Sequence, residues 1–359
     1  MSDSTGRGQD YESSLSGAST SLAEFEAHEK GLFGRFHNAL HATPALVPLI
    51  VLMAAILIFG VTLGERFFSP GTLTLILQQV QIVGVLAAAQ TLIILTAGID
   101  LSVGAMAVFC SVIMGQFTFR YGIPAPVGIA CGLAIGTGIG AVSGWLVSRV
   151  KLPPFIVTLG MWQIVLAANY LYSKNETIRS QDIRESAPLL GFMGMRFEVG
   201  GAVITLGVVT MILIVVVLAY VLRSTAWGRH VYAVGDDAEA AELAGVNRHG
   251  TIMSVYMTAG FICGLAGWVM IGRFGSVSPS ASTGVVGNIQ SITAVVIGGI
   301  SLFGGRGSIW GAFFGALIVG TFELGLRMAG ANAQWTYLLI GALIIGAVAV
   351  DQWIRKVTS

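Results

Sequence analysis

The sequence predicts an all-α polytopic membrane protein of about ten transmembrane helices with cytoplasmic N- and C-termini. Three observations predict it. First, 55% of the 359 residues are hydrophobic and 48 more are glycine, against about 45–50% for both groups together in soluble domains. Second, 10% are charged where about 25% is usual, too few to cover a water-facing surface of this size. Third, from Ala45 onward, apolar runs long enough to cross about 30 Å of hydrocarbon recur along the chain.

Residues 1–44 read as a cytoplasmic tail. Its first 21 residues are rich in Ser, Gly, Thr and Asp and offer too little apolar surface to offset the entropy of ordering, so disorder is expected. Leu22, Phe25, Leu32, Phe33, Phe36 and Leu40 then fall near helical spacing opposite Glu24, Glu26, Lys30, Arg35 and Asn38. That pattern predicts an amphipathic helix lying on the membrane surface, with an irregular tail as the alternative. The tail has no apolar core followed by a small-residue cleavage site, so no cleaved signal peptide is expected.

The transmembrane domain is placed at 45–354, with spans near 45–63, 72–95, 101–119, 125–148, 154–172, 199–222, 251–272, 284–303, 308–328 and 334–354, and a cytoplasmic C-terminus at 355–359. With the N-terminus inside, eleven of the 19 lysines and arginines fall on the cytoplasmic side, and four of the other eight (Lys174, Arg179, Arg184, Arg196) share one long outer loop. The short loops therefore favour a cytoplasmic N-terminus under the positive-inside rule.

Gly128, Gly132, Gly136, Gly140 and Gly144 repeat every four residues through the fourth span. They form an oblique ridge along which neighbouring helices can approach, since small residues take the place of the hydrophobic effect in lipid. LTAGIDLSVG at 95–104 is echoed by VIGGISLFGG at 296–305, each a Gly-Ile-x-Leu turn before a glycine-rich helix on the predicted cytoplasmic side. The echo fits either a parallel repeat or chance similarity in glycine-rich sequence. Cys110, Cys131 and Cys263 lie singly in apolar stretches, so neither a disulfide framework nor a zinc pair is suggested.

Several chemistries are excluded. All five histidines, His28, His37, His41, His230 and His249, lie in the tail or in the loop after span six. No metal site is expected: His28-Glu29 opens like a zinc-protease motif, but Leu32 stands where the second histidine is needed. Lys30, Lys151, Lys174 and Lys356 never follow a glycine, so no nucleotide-hydrolysing loop is present and the chain is not expected to split ATP. A net charge of +1 gives no footprint for nucleic acid.

Only Asp100 and Glu323 are carboxylates at depth for a proton or sodium relay. Glu323 has Arg327 four residues on, which predicts a neutralising pair. Asp100, with Ser102, marks the turn between spans two and three, either as a cap on the following helix or as part of a gate. Amides are more numerous. Gln78, Gln79, Gln81 and Gln90 cluster in the second span, Gln163 and Asn169 in the fifth, and Asn288 and Gln290 in the eighth. Gln78, Gln81, Gln90, Gln163, Asn169, Asn288 and Gln290 are candidates for lining the path of a neutral polyol; interhelical hydrogen bonding is the alternative.

The loop at 223–250, RSTAWGRHVYAVGDDAEAAELAGVNRHG, carries the most specific signal. Asp236 can cap a helix start with Glu239 as its reciprocal partner, and Gly245 can end it in the left-handed conformation. The result is an exposed helix of about two turns, marginal alone in water and therefore expected to dock on something. EAAELAG, Glu239 to Gly245, resembles the EAAxxxG core by which permease subunits of bacterial ATP-binding-cassette importers contact their ATPases, although the IxLP ending is absent: VNRHGTIMSVY follows. That departure is similar to the monosaccharide branch, of ribose, xylose and fructose type. AQTLIILTAGIDLSVG (Ala89 to Gly104) and ITAVVIGGISLFGGRGSIWG (Ile292 to Gly311) also look like that branch. KLPPFIVTLGMWQIVLAANYLYS and the ending AQWTYLLIGALIIGAVAVDQWIRK look most like fructose permeases of rhizobial type.

The resemblance implies a multi-pass permease in the bacterial inner membrane, with a cytoplasmic ATPase subunit, a periplasmic sugar-binding protein and a second permease copy as partners besides membrane lipid. It implies no cofactor on this chain, ATP and Mg being bound by the ATPase. Asp236, Asp237, Glu239, Ala240, Ala241, Glu242 and Gly245 would then carry the ATPase coupling. An ion-coupled secondary sugar carrier working without an ATPase, or a passive channel, is the alternative.

Overall fold

The computed structural model describes residues 46–358; the tail expected at 1–44, with its amphipathic helix, lies outside the described residues. Its helices are α1 (Leu46–Leu63), α2 (Pro70–Leu95), α3 (Val103–Tyr121), α4 (Ala125–Ser148) and α5 (Pro154–Ser173). The short α6 (Ser180–Ser186) and the hairpin β1 (Arg196–Val199) and β2 (Ala202–Thr205) follow, then α7 (Leu206–Ser224), α8 (Ala226–Asp236) and α9 (Ala238–Leu243). The chain closes with α10 (Arg248–Phe274), α11 (Ala281–Ile297), α12 (Ile309–Met328) and α13 (Ala333–Thr358). Among the described residues, eight helices are long and apolar enough to cross a membrane, and two shorter apolar stretches, α11 and Gln334–Gly346 within α13, occupy the eighth and tenth expected positions. The chain is thus the all-α polytopic membrane protein its composition predicts.

Local chemistry sets the boundaries. Ser69 accepts from the Thr72 amide at 3.2 Å ahead of Pro70 and starts α2. Asn247 accepts from the Gly250 amide at 2.9 Å and starts α10, which ends at the left-handed Gly275. The sixth span differs from expectation: its first residues are a β-strand, and the helix begins only at Leu206. Gly200 and Gly201, both at positive φ, make the two-residue turn of an antiparallel hairpin pairing Arg196 with Thr205 and Val199 with Ala202. In sequence, its β-branched Val203, Ile204 and Thr205 are indistinguishable from the start of an apolar span.

Burial divides the helices. More than three-fifths of the spanning residues of α2, α3, α10 and α12 are buried, against a third or fewer in α1, α4, α5 and α7. From Val83 to Leu95 every residue of α2 is buried, as a helix at the centre of a membrane bundle must be. The glycine ridge of α4 is a packing seam. Gly128 and Gly132 lie on α3 against Met114, while Gly136, Gly140 and Gly144 lie on α10 at Gly260, Tyr256 and Met253.

A Cβ at Gly140 would collide with the Tyr256 carbonyl, whereas one at Gly138, on the opposite face, meets nothing within 4 Å. Gly140→Val is therefore expected to destabilise the detergent-solubilised protein by about 2 kcal/mol or more, the usual scale of overpacking. Gly138→Ala should leave its thermal unfolding unchanged, measured by size-exclusion after heating.

Candidate functional site

Between α2 and α3 the chain does not simply turn at the bundle's end. Residues 96–102 are non-helical and fold back beside α2, so that Asp100 lies level with Gln90, five residues or about 7 Å inside the helix end. With its carboxamide oriented to satisfy both groups, Gln90 donates to the Asp100 carbonyl at 3.0 Å and accepts from the Asp100 amide at 3.2 Å. Thr158 of α5 donates its hydroxyl to the Ile99 carbonyl at 2.9 Å and accepts from the Leu101 amide at 3.2 Å. Asn288 of α11 donates to the Leu101 carbonyl and accepts from the Gly104 amide at 2.6 Å.

The Asp100 Oδ1 atom accepts from both the amide and the hydroxyl of Ser102 at 2.6 Å. Asp100 therefore shapes the turn by bonding two residues ahead; Ser102 stands at the N-cap position but makes no side-chain cap bond. Asp100, Ser102, Gln90, Thr158 and Asn288 are all buried. Irregular backbone inside a membrane bundle is tolerated only where its polar groups are satisfied by protein or water, and here side chains from three helices do it. Thr158 had no signal in the sequence beyond being a lone hydroxyl in an apolar span.

The seven candidate path amides are not brought together. Gln90 and Asn288 hold the buried turn. Gln81, also buried, accepts from the Thr205 hydroxyl at 2.7 Å and donates to the Gln78 carbonyl at 3.0 Å. That Gln78 carbonyl also accepts from Arg273 at 3.1 Å. Asn169 is buried and donates to the Pro279 carbonyl at 3.2 Å, while Gln163 stands exposed on α5. Gln290 alone meets a charged side chain, donating to Glu323 at 3.2 Å. The expected Glu323–Arg327 pair forms at 3.0 Å.

At the end where α2 finishes, the two echoed turns and the 223–250 loop converge. The Gly305 amide donates to the Leu95 carbonyl at 3.0 Å. Gly235, at the end of α8, lies so close to Leu95 and Gly305 that a Cβ there would collide with both backbones. A Cβ on Gly304 would come within 2.8 Å of Ala97, and one on Gly305 within 2.7 Å of Asp236. The Tyr232 hydroxyl donates to the Gly307 carbonyl at 3.0 Å, and burial raises the phenol above its ordinary range. A cavity of about 500 Å³ opens beside this junction, with Lys151, Arg248 and Asp236 on its walls.

On this mount sits α9. Its cap differs by one residue from expectation: Asp236 ends α8, and Asp237 accepts from the Glu239 and Ala240 amides at 3.0 and 2.9 Å. An aspartate doublet offers two candidate caps, and Asp236 is held by its packing against Gly305. Gly245 ends the segment at φ +87°. Asp236, Asp237, Glu239, Ala240, Glu242 and Gly245 are exposed and Ala241 is buried; Leu243 projects with 89% of its surface free.

Residues 72–348 match the family described as branched-chain amino acid transport system / permease component. Over 351 residues the chain is 64% identical to the fructose import permease protein of Rhizobium meliloti, covering 98% of this chain and 97% of that one. It is 34% identical to the ribose import permease protein of Escherichia coli K12 over 86% of this chain and 92% of the relative. The xylose transport system permease protein of the same strain is 30% identical, with the same coverage. No solved structure matches the chain. The matched family and relatives define a membrane-spanning transport component. The chain belongs to this family of transport-system permeases.

Removing Asn288 would leave the Leu101 carbonyl and the Gly104 amide buried and unpaired, at about 1–3 kcal/mol each. Asn288→Leu is expected to lower the apparent unfolding temperature of the purified protein clearly. Gln163→Leu, on the exposed face of α5, should not; equal stability of the two variants would contradict the assigned clamp.

Proposed function

We propose that the chain is the membrane-spanning subunit of an ATP-driven importer that moves a monosaccharide across the bacterial inner membrane, with fructose the first candidate. ATP is split by a separate cytoplasmic subunit, a periplasmic protein delivers the sugar, and a second copy of the permease completes the channel. The N- and C-termini face the cytoplasm. The observation that carries this reading is α9: an acid-capped helix of six residues too short to be stable by itself, exposing Glu239, Glu242 and Leu243 on a junction that grips both turns of the membrane domain. The names of the relatives supply the sugar class, and the excess of lysine and arginine in the short loops on the α9 side supports the orientation.

A partner bound to α9 would act on Asp236 and Gly235, which pack directly on the end of α2 and on the connection between α11 and α12. Movement requires that the partner bind α9 differently in two states of the permease, since equal affinity shifts nothing.

In proteoliposomes, uptake of labelled fructose is expected only with ATP, the ATPase subunit and the sugar-binding protein all present. Uptake by this chain alone under an ion gradient would contradict the proposal. Glu239→Lys and Gly245→Val should each reduce uptake at least tenfold while leaving membrane insertion intact. No atom lies within 4 Å of a Cβ at Gly245, so its substitution acts through the left-handed backbone alone, at about 1–2 kcal/mol.

A further inference from the structure

The end of the bundle opposite the loop junction holds polar groups that neither the buried turn nor α9 uses. A cavity of about 220 Å³ lies among α11, α12 and α13, with Gln290, Thr293, Glu323, Arg327, Thr336 and Tyr337 on its walls. The Gln290 amide donates to Glu323 Oε2 at 3.2 Å, and Arg327 donates to Glu323 Oε1 at 3.0 Å. The Glu323 side chain is 21% exposed and that of Arg327 64%.

A carboxylate and a guanidinium on membrane-crossing helices are costly, and such groups characteristically face a bundle interior or a water-filled cavity. Arg327 stands in the last turn of α12 and is largely exposed, so the pair sits at the mouth of the cavity, where a solute can reach it. The set has no net charge with which to select an ion. Against an apolar lining of Val286, Ile289, Ala331 and Ile340, it has what a polyol requires: carboxylate oxygens to accept, a guanidinium fork to donate, an amide and the Thr336 hydroxyl able to do both, and the Thr293 hydroxyl, whose hydrogen goes to the Ile289 carbonyl, left to accept. Tyr337, 73% exposed, adds an aromatic face for the apolar C–H side of a sugar ring. The volume is below the roughly 300–1,000 Å³ of drug-sized ligand sites, which suits a single monosaccharide.

We propose that this cavity is a subsite that reads the hydroxyl groups of the transported monosaccharide, with Gln290, Glu323 and Arg327 as its hydrogen-bonding wall and Tyr337 as its stacking surface. The proposal deepens the importer function above and rests on it. Gln290 is the one candidate path amide that contributes.

The test uses the reconstituted complex of permease, ATPase and sugar-binding protein, with each variant first scored for co-purification with the ATPase. Gln290→Leu, and Glu323→Leu combined with Arg327→Leu, remove the polar wall without leaving a lone charge. Both should lower the fructose moved per ATP hydrolysed by tenfold or more and weaken discrimination between fructose and its deoxy analogues. Tyr337→Phe should keep transport and Tyr337→Ala lose it. Wild-type transport and discrimination in the leucine variants would overturn the subsite. If the double variant does not assemble, Gln290→Leu and Tyr337→Ala decide, and wild-type behaviour of both overturns it. Uptake by the unaltered complex that ignores ATP would instead sink the importer reading, a separate result.

Discussion

A backbone segment inside a membrane bundle must find its partners within the protein, and between Ile99 and Gly104 side chains supply most of them, while the Ser102 carbonyl accepts from the Met106 amide. Gln90 from α2, Thr158 from α5 and Asn288 from α11 pair with the main chain of Ile99, Asp100, Leu101 and Gly104, and the Asp100 carboxylate closes the turn on Ser102. Each lost partner would strand a buried donor or acceptor. The clamp therefore fixes where α3 begins and ties α2, α5 and α11 to one irregular segment of chain.

The same stretch leads out of α2 at Leu95, and there the fold meets the mount of α9. The Leu95 carbonyl accepts from Gly305, and Gly235 nests between them. Because all three approaches are between backbones, with glycine at the crowded positions, a displacement of α8 has little slack before it reaches the end of α2 and the connection between α11 and α12. Close packing with discrete arrangements transmits motion in this way. The short acidic α9 is thus attached to the membrane domain through a stiff joint.

Much of this was legible in the sequence. The span positions follow from apolar length, and the glycine ridge of α4 announced a seam whose partners turned out to be Met114, Gly260 and Tyr256. The hairpin before α7 was missed because AVIT reads equally as strand or as the start of a span, and only Gly200-Gly201 marks it. Asp237 took the cap expected of Asp236 because tertiary packing with Gly305 chose between adjacent aspartates. The amides were visible as a set, but periodicity does not say whether an amide faces a path or a backbone. Gln90 and Asn288 proved to serve the main chain, while the partnership of Gln290 with Glu323 required α11 and α12 to be placed side by side. Thr158, a single hydroxyl, had no pattern to betray it.

Hydrogen–deuterium exchange of the intact protein in lipid nanodiscs tests the clamp most directly. The amides of Asp100, Leu101, Ser102 and Gly104 should exchange as slowly as those of the flanking helices although they lie in no helical hydrogen-bonding ladder. Exchange as fast as that of the exposed connection at 174–176 would mean that the side chains do not hold this segment, and the account of the fold built on it would fail.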